Sequence, residues 1–296
     1  MSFPSYKSQI KQSSKYFFAF LVLLLLLPCL CSAADWQQIK GDHFIVNFLQ
    51  DKDFANDVLS RAEMYYNKIA NDLGYQRYAT FWSWNQRVNI FVYPDHESYT
   101  KATGQPEWSD GKADYDFKNK QISMYTGSQK FLETILPHEI THLIFRDFIG
   151  FKGTIPLWID EGIATSAEEP TYADMKKRIK DLYRRSALLK LDDMMTLNFK
   201  KVSNQTSVHD ILMRDNSPGY LIIAPDKFVA LFYIESASIV SFLREHYGPQ
   251  RFTQFCSDLR DGKSVDQALQ DVYQDECPNT KELEKKWRQD IVENMA

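Results

Sequence analysis

Leu136-Pro137-His138-Glu139-Ile140-Thr141-His142, read together with Trp158-Ile159-Asp160-Glu161-Gly162-Ile163-Ala164, decides how the rest of the chain is organised. Apolar residues at Phe131, Leu132, Ile135, Ile140, Leu143, Ile144, Phe145 and Phe148 recur at helical spacing around the first block, as a buried helix requires. Two histidines four residues apart on such a helix are separated by roughly 6 Å of rise, so both imidazoles leave one face and can grip one ion. Zinc is suited to this grip: a catalytic zinc takes three protein ligands at about 2.0–2.3 Å and keeps a fourth position open. His138 and His142 supply two ligands and Glu161 is the candidate third. Glu139, the next residue after the first ligand, can reach a water at the metal and take its proton.

Pro137 lacks a backbone donor, so either the helix kinks there or its regular part starts close by. Gly150 is a suitable helix end. Gly153 and Pro156 then reverse the chain, so that a helix beginning near Leu157 returns Glu161 to the histidines. Gly162 and Ala164 are small enough for close packing beside the ion.

The pairing of His138-Glu139-x-x-His142 with Trp158-x-x-Glu161-Gly162-x-Ala164, with eighteen residues between His142 and Glu161, resembles the gluzincin clan of zinc metallopeptidases. It is closest in style to the peptidase MA-like domain and the aminopeptidase N family. A third block, Tyr233-Ile234-Glu235-Ser236-Ala237 running on to Tyr247-Gly248, is similar to the helix in which those families place a tyrosine that donates to the oxyanion. That resemblance gives the role to Tyr233, with Tyr220 and His209 as rivals downstream of Glu161. It implies an α+β, zincin-like fold: a small mixed-sheet N-terminal lobe over about 35–150, a helical C-terminal lobe over about 151–296, and the active-site helix between them. It also implies one Zn2+ ion, a peptide or protein substrate, and an edge strand beside the active-site helix, for which Gln121–Tyr125 is the candidate. The G-x-M-E-N segment by which aminopeptidase N relatives hold a free amine has no counterpart between Asp110 and Ser128, so the resemblance stops short of aminopeptidase specificity.

The N-terminus reads as a targeting segment. Lys7, Lys11 and Lys15 precede an apolar run, Phe17 to Leu27, that Pro28 ends, and Ser32-Ala33-Ala34 offers a cleavage site; this is the layout of a secretory signal peptide over residues 1–34. The run falls short of the roughly 20 apolar residues that cross a bilayer, so no stable membrane anchor is expected after cleavage, and the protein is expected to be secreted or periplasmic. Cleavage takes the formal charge from −4 to −7. Nothing in this acidic balance suggests nucleic acid, whose phosphates call for a basic face. Cys256 and Cys277 remain as an even pair, either bridged in an oxidising compartment or present as two buried thiols.

The remaining chain reads as strands at His43–Phe48, Arg87–Tyr93, Asp110–Phe117 and Gln121–Tyr125, the last two a hairpin, with helices at Asp53–Leu73 and near Glu97–Thr103. Beyond Ser166 it reads as mostly helical: Tyr172–Lys190, Asp226–Tyr247, Arg251–Leu259, Ser264–Tyr273 and Lys281–Met295, with a turn near Ser217-Pro218-Gly219. Trp82, Trp84 and Trp108 are candidates for lining a cleft, and Asp160 and Thr165 for orienting a ligand imidazole. A reading of a different class keeps the ion without the chemistry: a peptide-binding or scaffolding protein of the cell envelope. The carboxylate of Glu139 argues for catalysis, since binding alone has no need of it.

Overall fold

The computed structural model describes residues 35–294 apart from 74–81, 83–85, 108, 116–119, 128–129, 151–154, 169–170 and 198–206. The expected signal peptide, Trp84, Trp108 and Gly153 lie outside the described residues. Trp36–Ala296 forms one compact unit. Its architecture is mixed, with a five-stranded sheet built by the first half of the chain and helices making up most of the second.

Alternating burial sets the sheet. In β2 (Phe44–Phe48) the side chains of Phe44, Val46 and Phe48 point inward, and β3 (Val88–Tyr93) does the same with Val88, Ile90 and Val92. β2 and β3 are parallel, which demands a crossover, and helix α1 (Lys52–Asp72) provides it. Asp51, at φ 55°, caps that helix by accepting a hydrogen bond from the Phe54 amide at 3.0 Å. β1 (Gln37–Lys40) closes one edge antiparallel to β2. Helix α2 (His96–Thr103) follows β3 and ends at Gly104, whose φ of 67° suits a residue without Cβ.

The hairpin of β4 (Gly111–Tyr115) and β5 (Lys120–Tyr125) completes the sheet in the order β1-β2-β3-β5-β4. Here the expectation for the edge strand is corrected. Gln121–Tyr125 lies inside the sheet, parallel to β3 on one side and antiparallel to β4 on the other, and β4 is the edge. The composition explains the exchange. β5 buries Ile122 and Met124, whereas β4 carries Lys112 and Asp114, paired at 2.7 Å, and charged side chains suit a strand that ends a sheet.

Helix α3 (Leu136–Ile149) packs against α1 and lies beside β4, and helix α4 (Leu157–Ser166) returns over it. Helix α5 (Thr171–Arg184) stops before the expected Lys190, and a short helix α6 (Leu191–Thr196) follows. An antiparallel pair not anticipated from the sequence, β6 (Ser207–Leu212) and β7 (Pro218–Ile223), then precedes the 23-residue helix α7 (Pro225–Tyr247). α8 (Pro249–Arg260), α9 (Val265–Tyr273) and α10 (Thr280–Glu293) finish the fold. No described helix is long and apolar enough to cross a membrane.

Packing corrects one further expectation and decides between the two alternatives left for the cysteines. Trp82 is fully buried and donates its indole N–H to Asp147 at 2.6 Å, so it belongs to the core and lines no cleft. Cys256 and Cys277 are both free and buried. Cys277 pairs with the Tyr247 hydroxyl, and burial pushes the Cys277 thiol up to about 11. A thiol held protonated in this way is a poor partner for oxidation.

The tightest helix contact is at Gly162 of α4. A Cβ there would stand 2.6 Å from the Ser236 carbonyl oxygen of α7 and 2.8 Å from Val240 Cγ2. Gly162→Ala is expected to push the two helices apart at a cost of about 1–3 kcal/mol, read as a lowered denaturant midpoint. An unchanged midpoint would mean that the helix contact yields without strain.

Candidate metal centre

Leu136 opens the regular part of α3 after a single π-helical turn over Phe131–Ile135, and Pro137 occupies the first helical turn, where an amide donor is not needed. This resolves the position of Pro137 without a kink. The Thr141 hydroxyl donates back to the Pro137 carbonyl at 2.7 Å, within the same turn that carries both histidines. His138 and His142 project together, with their Nε2 atoms 3.1 Å apart.

The reversal through Pro156, whose ψ of 139° sets the start of α4, returns Glu161 to this face. Its Oε2 lies 3.4 Å from Nε2 of each histidine. These three groups are the one cluster of potential ligands found among the described residues.

What holds the imidazoles is as informative as the ligands. His138 Nδ1 lies 2.9 Å from Glu168 Oε1, and His142 Nδ1 lies 2.8 Å from Asp160 Oδ1. A ring that donates from Nδ1 to a carboxylate presents an electron pair at Nε2. With both rings neutral, two such lone pairs and a carboxylate oxygen converge on one point, and Glu161 Oε2 is buried without a hydrogen-bond partner. Three acceptors facing each other in a buried place repel unless a cation joins them. Separations of 3.1–3.4 Å match the spacing of roughly 3.3 Å expected between tetrahedral ligands whose bonds are about 2.0–2.1 Å. The residues fit a divalent ion.

The charges agree with this. Burial disfavours the charged form of His138, but Glu161 and Glu168 overcome it and raise its pKa to about 9. His142 is likewise raised well above its ordinary value, with Asp160 and Glu161 overcoming the same burial. Burial favours the neutral form of Glu161, yet the two imidazoles hold it far below the usual carboxylate range. The cluster is thus a strong attractor of positive charge.

Asp160 takes the orienting role expected of it, and Arg146, one turn beyond His142, steadies its second oxygen at 3.3 Å. Thr165 does not share that role: its hydroxyl is buried and contacts no hydrogen-bond partner. Glu168 was not anticipated. It lies just past the end of α4, where helical spacing no longer decides which way a side chain points, so the sequence held no signal for it.

Tyr233 of α7 enters from the opposite side. Its ring stacks at 26° on His138, with centroids 5.9 Å apart, and its hydroxyl lies beside the Glu161 carboxylate. Burial, then the charges of Glu161 and Glu139, raise its pKa far above the ordinary value, so it remains a donor. The rivals are elsewhere: Tyr220 is 76 % exposed on β7, and His209 stacks on Phe228 at 3.9 Å. Glu139 is half-buried in the first turn of α3, its charge felt by Tyr233 and by the buried Tyr99. Among the described residues no side chain forms an ion pair with it.

His142→Ala is expected to abolish stoichiometric binding of a divalent ion, and Asp160→Asn to weaken it about 10–100-fold in competition with a chelator. Full ion content in the first variant would remove His142 from the ligand set. Because the ion must displace protons from imidazoles of raised pKa, binding is expected to weaken as pH falls below about 9 and to release protons at pH 7, read as a buffer-dependent heat. No protein-family model matches the chain, and no curated protein matches it significantly.

Proposed function

We propose that the protein is a zinc-dependent peptidase of gluzincin type, exported by its N-terminal segment. The observation that carries this reading is the convergence of His138, His142 and Glu161 on one point, with Glu139 and Tyr233 flanking it. A mixed sheet whose antiparallel edge strand runs beside the histidine helix, with the third ligand returned by the next helix, supports a zincin-like arrangement.

Zinc held by these ligands supplies Lewis acidity to a peptide carbonyl and acidifies a water. The chain's own residues do the rest. Asp160 and Glu168 fix the imidazoles in the tautomer that turns Nε2 towards the centre. Glu139 removes a proton from the attacking water and passes it to the leaving nitrogen, a contribution of typically about 10²–10⁴-fold. Tyr233, kept protonated by burial and by its acidic neighbours, donates to the oxygen that becomes negative as the carbonyl carbon turns tetrahedral. The exposed edge of β4 offers backbone groups to an extended peptide.

Glu139→Gln is expected to keep the ion and lose at least about 10²-fold in turnover of a peptide library followed by mass spectrometry, with o-phenanthroline as control. Full activity in that variant would displace Glu139 as the base. Tyr233→Phe is expected to lower kcat about 10²-fold with the ion content unchanged. An unaltered rate would leave Tyr233 as packing.

A further inference from the structure

Helices α5 and α7 pack together and leave between them a groove of about 760 Å³, bordered by Leu221 and Ile223 of β7. Its floor is aliphatic. Leu182 of α5 joins Leu231 and Ile234 of α7 there, and no aromatic ring stands among the described lining residues. Ala230, exposed on α7, is small enough to leave the trough open. Tyr233 lies roughly 110° round α7 from this stripe, so the groove and the metal centre use different faces of one helix.

The rim is basic. Lys177, Arg178, Arg184 and Arg185 line it from α5 and Lys227 from α7, against two acids, Asp174 and Asp181. Arg185 already holds Asp181 at 3.0 Å, whereas Lys177, Arg178, Arg184 and Lys227 form no ion pair among the described residues. The excess of positive charge is local, since residues 35–296 carry a formal charge of −7. Helical rise puts the Lys177-Arg178 pair and the Arg184-Arg185 pair roughly 10 Å apart along α5. A ligand that brings several negative charges in a line, with apolar groups between them, complements floor and rim at once.

We propose that this groove binds an acidic, extended segment of a partner protein, one in which aspartate or glutamate alternates with aliphatic residues. Successive side chains of an extended chain point to opposite sides, so aliphatic groups settle on the floor while the carboxylates stay at the height of the rim. There the long lysine and arginine side chains reach them, as in other acidic motifs read by arginine clusters. The two basic pairs are separated by the length of about three residues of such a chain. A single carboxylate or phosphate headgroup would meet one pair and leave the other unmatched. Nucleic acid finds no ring on which a base can stack, and a bilayer surface does not enter a concave floor. The binding rests on the groove alone, independent of what the metal centre does.

The test uses the full chain and a fluorescein-labelled peptide of about eight residues that alternates glutamate and leucine. Binding is read by anisotropy, over a time in which mass spectrometry finds the peptide intact. It is expected to be at least about tenfold tighter than that of the lysine–leucine and glutamate–serine counterparts, and to weaken as NaCl rises to about 0.5 M. Arg184→Glu with Arg185→Glu is expected to lower the affinity at least about tenfold, whereas Arg184→Lys with Arg185→Lys keeps it within about threefold. Ala230→Trp, which fills the groove from an exposed position without altering charge, is expected to lower it about tenfold as well. All three sites are exposed, and unchanged thermal melts confirm that the variants are folded. No binding by the parent, equal affinity for the three peptides, or undiminished binding by the charge reversal or by Ala230→Trp would overturn the proposal. Oleate that binds more tightly than the peptide and is lost in Ala230→Trp would also overturn it, and make a single-chain amphiphile the occupant of the groove.

Discussion

Three electron-pair donors aimed at one buried point, which only bound protons or a cation can reconcile, form the constraint around which this structure is arranged. Each imidazole is turned by a carboxylate behind it, Glu168 for His138 and Asp160 for His142, so both rings present Nε2 to the same point. Glu161 adds a third acceptor whose Oε2 finds no hydrogen bond. Assembled without a cation such a cluster costs free energy, and proteins keep arrangements of this kind where function needs them.

The fold makes that cluster rigid. α3 has both histidines in its first turns, and its entrance is shaped by the π turn and by Pro137. α4 reaches the same point only because Gly162 lets it approach α7 closely enough for the Ser236 carbonyl to occupy the space of a side chain. α7 in turn carries Tyr233 into the site. On its other side Glu235 is fully buried and accepts the Leu189 amide at 3.1 Å through both oxygens. One long helix therefore ties the centre to the C-terminal helices, and the position of Tyr233 follows from packing distributed along its length.

Charge is partitioned across the molecule with some consistency. Acidic groups crowd the metal centre, where they hold imidazoles and favour a cation. Basic groups gather on α5 and at the start of α7, beside the hairpin that exposes its apolar face.

The amino-acid sequence by itself determined the candidate ligand set, because helical spacing places His138 and His142 on one face whatever surrounds them, and it made Glu161 a natural third once the chain turned back through Pro156. It also carried the major helices, whose apolar periodicity is strong. It did not decide which strand of the β4–β5 hairpin ends the sheet, since that depends on whether β3 pairs with one or the other; the polar make-up of β4 was the signal. Nor did it decide the cysteines, because an even count says nothing of the aromatic packing around each thiol. Glu168, the exclusion of Tyr220 and His209, and the hairpin at Ser207–Ile223 belong to tertiary structure as well. Each turns on contacts between residues distant in the chain, where short-range pattern has no purchase and the packing of α4 and α7 settles what can reach the metal centre.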